Sequence, residues 1–119
     1  MSLFRRGRDR LTPEQAHART GDGAAVLLDV REAPEWAAGH APAAVHLPLT
    51  RLTTGAALPD EARGRPVVAI CRSGNRSQQA AELLAARGVD AVDVAGGMAA
   101  WARAGLPVVD ARGRDGRIA

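Results

Sequence analysis

Val67-Val68-Ala69-Ile70-Cys71-Arg72-Ser73-Gly74-Asn75-Arg76-Ser77 joins a continuous apolar run to a helical pattern through a short polar loop. Four apolar residues bounded by turn signals read as a buried strand. From Asn75 to Arg87 the period changes: Ala80, Leu83, Leu84 and Arg87 fall at i, i+3, i+4 and i+7, and Gly88 suits a helix stop. A strand running straight into a helix is half of a β–α–β unit, and the same alternation extends in both directions.

Upstream, Thr12-Pro13-Glu14-Gln15 combines an N-cap, a proline at the first helical position and a capping-box glutamine, so a helix is expected from there to about Arg19. Ala25 to Leu28 reads as a strand ending at Asp29-Val30-Arg31. Pro34 to Ala38 suits one or two helical turns, and Val45 to Leu49 suits another strand. The region Thr50–Arg65, punctuated by Gly55, Pro59 and Gly64, admits only a short helix. Downstream, Val89–Val94 is expected as the fourth strand, Gly96-Gly97 as a turn and Met98 to about Arg103 as the last helix. Alternating strands and helices predict an α/β fold, a central parallel sheet with helices on both faces. In such sheets ligands bind beyond the carboxyl ends of strands, where Asp29 and Cys71 both stand.

The chain has 119 residues and a formal net charge of +3, enough for one core and one domain. Alanine supplies much of the apolar content, so Trp36 and Trp101 carry a large share of the burial, with Trp36 also able to wall a pocket. Residues 1–10 read as a flexible basic arm, 11–109 as the folded domain and 110–119 as a flexible Arg/Gly/Asp-rich tail. Every basic residue besides the histidines is arginine, but the two clusters lie in these terminal segments and lack interleaved aromatics, so specific nucleic-acid binding is not expected. No run approaches membrane-spanning length and the start lacks a signal-peptide apolar region. One cysteine cannot form an internal disulfide, and a reducing, cytoplasmic setting is expected. The spacing of His17, His40 and His46 matches no metal-ligand motif, and no metal or other cofactor is expected.

A free cysteine has a pKa of roughly 8.5, lowered by helix N-termini and neighbouring arginines. Both aids adjoin Cys71. The helix opening at Asn75 presents unpaired N–H groups, and Arg72 and Arg76 bring positive charge. Gly74 allows the backbone turn that an anion nest requires, and Ser73 and Ser77 offer hydroxyls, Ser77 alternatively as a helix cap. The thiolate can attack a sulfur donor and hold its outer sulfur as a persulfide, to be taken by cyanide, a thiol or a partner protein's cysteine. The same geometry can serve a phosphate or arsenate. Cysteine-dependent phosphatases carry Cys-x5-Arg, whereas Cys71 and Arg76 are Cys-x4-Arg, a smaller cradle that favours sulfur. A non-catalytic binding or regulatory module is a further alternative, whose mark would be a missing cysteine. Either arginine can bind an anionic donor or pair with Asp29 or Glu32.

Three motifs, in order, resemble the rhodanese (thiosulfate sulfurtransferase) superfamily, in a small single-domain form. They are Leu28-Asp29-Val30-Arg31-Glu32 with Glu35-Trp36 and Gly39-His40-Ala41-Pro42; Cys71 to Ser77; and Val94 to Trp101 with Gly105-Leu106-Pro107. The resemblance runs from about Leu11 to Val108. It implies the three-layer rhodanese-like fold, a persulfide on Cys71, a cradle of the N–H groups of residues 72–76, and a sulfurtransferase using thiosulfate or a persulfide donor. Asp29 and Arg31 are expected as supporting residues behind the loop, Asp29 either bonded to loop N–H groups or in a structural ion pair. Ala43 stands where the family has glycine, so a local change in that turn is expected.

Overall fold

A computed structural model of the protein describes residues 9–119. Most of the basic arm expected at the start, residues 1–8, lies outside the described residues. Along the chain run β1 (Arg10–Leu11), α1 (Pro13–Gly21), β2 (Val26–Asp29), α2 (Ala33–Ala38), β3 (Val45–His46) and α3 (Leu49–Thr53). A single 3-10 turn (Asp60–Ala62) precedes β4 (Val67–Ile70), α4 (Asn75–Ala86), β5 (Ala91–Val94) and α5 (Gly97–Arg103). The five strands form one sheet in the order β1-β5-β4-β2-β3, and every pairing is parallel.

Local signals set most boundaries. Thr12 Oγ1 accepts from Gln15 N at 3.1 Å and Gln15 Oε1 accepts from Thr12 N at 3.0 Å, the reciprocal cap expected of that sequence. The central strand β4 occupies the four expected residues, all fully buried. Its alternation divides the core. Val67, Ala69 and Cys71 face Leu52, Ala80, Ala81 and Leu84 of α3 and α4, while Val68 and Ile70 face Ala16 of α1 and Met98 and Trp101 of α5. Trp101 is 1% exposed and its Nε1 donates to Pro107 O at 2.9 Å.

Three features differ from the sequence reading. Arg10, assigned to the arm, is part of β1 and pairs in register with Asp93 of β5. The expected strand over Val45–Leu49 is only two residues long, because the chain turns into α3 at Pro48, although Leu47 N and Leu49 N still donate to Asp29 O and Val30 O. The segment 110–119, read as a flexible tail, folds back: Val109 exchanges backbone hydrogen bonds with His40, Ala111 N donates to Ala37 O and Arg117 N to Ala38 O. Its composition is polar, but Val108 and Ile118 pack on the α1/α5 side of the core and Asp110 Oδ1 closes a turn by accepting from Arg112 N and Arg114 N. The turn at Ala43 needs no glycine. Ala44 N donates to Ala41 O at 3.0 Å, and among the described residues only glycines have positive φ.

Candidate active site around Cys71

β4 ends at Ile70 in the middle of the sheet, so the next residue emerges where the strand's own ladder stops and its side chain continues the Val67–Ala69 face. Cys71 is 1% exposed, yet its sulfur is not surrounded by hydrocarbon alone. Gly74 N donates to Sγ at 3.1 Å, and the thiol lies 3.4 Å from Ser77 Oγ, to which it donates. Gly74 has φ 107° and is the N-cap of α4, a twelve-residue helix whose first N–H groups, from Asn75 onward, lack intrahelical acceptors. Left-handed backbone at that point turns the amide back onto the sulfur, and a side chain there is disfavoured on two counts. Its Cβ would be strained at this φ and would lie 2.7 Å from Arg10 Nη2.

The loop is received from below by the other glycine turn. Met98 N donates to Cys71 O at 2.7 Å and Ala99 N to Arg72 O at 2.9 Å, so the first turn of α5 satisfies the loop carbonyls. Gly97, at φ 57°, makes the approach possible, since a Cβ there would collide with the Cys71 carbonyl oxygen and the Arg72 backbone. The Gly96-Gly97 turn anticipated between β5 and α5 is thus the seat of the cysteine loop.

A family model for the rhodanese-like domain matches residues 12–104. The chain belongs to the rhodanese-like domain family. Among solved structures, a rhodanese-related protein of Thermoplasma volcanium is 31% identical with a TM-score of 0.75, covering 84% of this chain and 96% of that one. A rhodanese homologue of Thermus thermophilus is 33% identical with a TM-score of 0.63 and coverages of 77% and 99%. A Rhodopseudomonas palustris protein of unknown function, described as a possible tyrosine phosphatase, is 25% identical with a TM-score of 0.72 and coverages of 84% and 83%.

In this rhodanese-like domain the two loop arginines are anchored. Arg76 makes a bidentate pair with Glu35 of α2, Nη1 to Oε1 at 2.7 Å and Nη2 to Oε2 at 2.8 Å. Hydrogen bonding to Arg76 holds the Glu35 carboxyl at about 2, below its ordinary 4.5, assisted by the Glu32 N–H and opposed by burial. The same contact raises Arg76. Arg72 Nε donates to Ala119 O at 2.8 Å, so the folded-back C-terminal segment meets the rim of the loop. Glu35, rather than Asp29 or Glu32, is therefore the carboxylate that an arginine of the loop finds.

Asp29 and Arg31 are both fully buried and bind each other, Nη2 to Oδ2 at 2.7 Å and Nε to Oδ1 at 3.0 Å. Arg31 also donates to Gly39 O at 2.6 Å and to Glu35 O at 3.3 Å, while Asp29 Oδ1 accepts Arg31 N. Their contacts hold α2 at Glu35 O and at its C-cap Gly39, and so the height of Glu35, rather than touching the sulfur. Trp36 is half-buried and stacks with His40, at 3.6 Å, and with His46, at 4.8 Å. Each imidazole is anchored to a carbonyl, His40 Nδ1 to Trp36 O and His46 Nε2 to Arg31 O, both at 2.7 Å.

Two residues meet the site unexpectedly: Arg10, read as part of the basic arm, and Asp93, which the sequence reading did not single out. Asp93, 2% exposed, accepts Ser77 Oγ–H at 2.8 Å, and Arg10 donates to both of its oxygens. The available signal was Asp93 itself, one carboxylate in the otherwise apolar Ala91-Val92-Asp93-Val94. A buried charge in a central strand requires a partner.

Proposed function

We propose that this protein is a sulfurtransferase that carries sulfane sulfur on Cys71. The observation that carries the reading is the Gly74 N–H directed at Sγ, 3.1 Å away, from the cap of α4. An N–H donor and a helix N-terminus aimed at one sulfur favour its anion, and they would serve the terminal sulfur of a persulfide in the same way. The loop spacing Cys71–Arg76 supports sulfur over a phosphoryl group because the shorter loop makes a smaller cradle.

The reaction divides into two displacements. The Cys71 thiolate attacks the outer sulfur of thiosulfate, a bond forms between the two sulfurs, and the S–S bond of thiosulfate breaks with its electron pair leaving on sulfite. Cyanide or a thiolate then attacks the terminal sulfur of the persulfide, and the Cys71 thiolate leaves with the electron pair of the bond that breaks. A persulfide donor delivers sulfur by the same first step, with a thiolate as leaving group, and a partner protein's cysteine is an acceptor of the same chemistry. Ser73, Asn75 and the N–H groups of residues 72–76 line the receiving loop in this scheme. A lone thiol of this kind suits a reducing cytoplasm, and no described helix is long and apolar enough to cross a membrane.

Intact-mass measurement after thiosulfate treatment tests the assignment. One added sulfur on the native chain, absent in Cys71→Ser and discharged by cyanide, is the expected result. An unmodified native chain that instead hydrolyses an aryl phosphate would overturn it in favour of phosphatase chemistry.

A further inference from the structure

The hydrogen bonds around Cys71 close into a ring that joins the cysteine loop to β1 and β5. The thiol donates to Ser77 Oγ, Ser77 donates to Asp93 Oδ2 at 2.8 Å, and Asp93 accepts Arg10 Nε at 3.0 Å and Nη2 at 2.9 Å. The same Arg10 Nη2 donates to Gly74 O at 2.8 Å, and Gly74 N returns to Sγ at 3.1 Å. A hydroxyl has one proton and two acceptor sites. With its proton committed to Asp93, Ser77 turns only lone pairs toward the sulfur. Lone pairs suit a thiol that donates and repel a thiolate.

We propose that Asp93 and Arg10 are positioning residues that set how readily Cys71 gives up its proton. This rests on Cys71 being the nucleophile of the proposed reaction. Asp93 keeps the Ser77 proton away from the sulfur and so stabilises the thiol. Arg10 offsets the carboxylate's charge and, through the Gly74 carbonyl, keeps the Gly74 amide aimed at the sulfur. Ionisation breaks the S–H bond, the electron pair stays on Sγ and the proton passes to solvent water. The Ser77 hydroxyl then swings from Asp93 to the thiolate, and Asp93 keeps both bonds from Arg10. The loop thereby exchanges one hydrogen-bonded arrangement for another on ionisation, with no histidine among the sulfur's hydrogen-bond partners. The other charged groups facing this site are Arg76 of α4 with its partner Glu35 from α2, the Asp29–Arg31 pair at the end of β2, and Arg72 in the loop. None of them is substituted in the variants below.

Thiolate ultraviolet absorbance, titrated with pH on the full chain and with Cys71→Ser as the blank, reads the sulfur directly. The chain has one cysteine and no tyrosine, so no phenol ionises over the same signal. In Asp93→Asn the new amide can donate to Ser77 and release its proton toward the sulfur, and Arg10 loses its counter-charge. The midpoint should fall, by about one pH unit, which is about tenfold more thiolate at a fixed pH below the midpoint. In Arg10→Gln the midpoint should rise. Opposite shifts in two variants with native circular dichroism support the proposal. Shifts in the same direction, or unchanged midpoints, overturn it. If Asp93→Asn does not fold, Arg10→Gln decides alone: a rise supports the proposal and no change overturns it. The titration needs no sulfur donor, so it stands apart from the thiosulfate-loading experiment. Opposite midpoint shifts with no thiosulfate adduct would defeat the transferase assignment and leave the roles of Asp93 and Arg10 intact.

Discussion

Two Asp–Arg pairs flank the cysteine loop, and they differ in reach. Asp29 and Arg31 are two residues apart, wholly buried, and linked onward only to backbone that holds α2. Arg10 and Asp93 are 83 positions apart, lie at the other side of β4, and are wired to the sulfur through Ser77 and Gly74. Both pairs have nearly the same hydrogen-bond geometry. The difference is that one is bonded onward to the backbone of α2 and Gly39, while the other shares a carboxylate oxygen and a guanidinium nitrogen with the cysteine loop. The same two residue types thus make a scaffold in one place and, in our proposal, a chemical control in the other, and what separates the roles is the next hydrogen bond along.

Removing the scaffold side should give the largest effect on stability. Asp29→Ala strands a fully buried guanidinium, a change that typically costs about 3–5 kcal/mol. Chemical denaturation should show a loss of that size. A loss comparable to that of an exposed substitution would show that Arg31 finds other partners and that the two pairs are not distinct in kind.

The seat of the loop comes next. Gly97→Ala places a methyl group against the Cys71 and Arg72 backbone at a φ of 57°. Left-handed strain for a non-glycine residue is about 1–3 kcal/mol, and the displaced loop should also lose sulfur-loading rate. Stability and loading measured on the same sample should fall together, because the contact is with the loop itself. Loss of stability with full loading would place the seat on the scaffold side of the comparison.

The smallest expected effect is at Glu35, where the scaffold side meets the loop. Its carboxyl is held at about 2, so the pair with Arg76 contributes to stability fully above the ordinary value near 4.5 and loses that contribution as pH falls toward 2. Arg76 and Glu35 are partly exposed, so the contribution is about 1 kcal/mol or less. Glu35→Gln should lower stability slightly at neutral pH and flatten the decline between pH 4.5 and 2 seen in parallel denaturation of the parent. An undiminished decline would assign it to other carboxylates.

The stretch from Val67 to Arg87 was legible because every signal in it is local. An apolar run, a glycine at a turn and a helical period each act within a few residues, and β4 and α4 lie where they predict. Thr12 and Gln15 likewise close their own cap. What escaped the sequence depends on distant partners. β1 is only two residues long and exists because Arg10 and Leu11 find the edge of β5. Arg10 resembles the other arginines of a basic arm until Asp93 is brought beside it. Residues 110–119 have a disordered-looking composition, but a few apolar contacts and backbone bonds to Ala37, Ala38 and His40 hold them. At the site, Cys71 and its loop were visible as a local motif and Glu35 stood in the first motif without its partner, while Asp93 went unread; the partners of Asp93 and Glu35 lie 16 and 41 positions away in Ser77 and Arg76.

The seating of the loop on the first turn of α5 has a consequence during synthesis. A growing polypeptide that stops short of Gly97 contains the nucleophile, both flanking guanidinium groups and the start of α4, but not the amides that receive the Cys71 and Arg72 carbonyls. Those two carbonyls find their donors only when translation has delivered the final β–α unit, so the last helix to be made is the one that seats a loop made well before it.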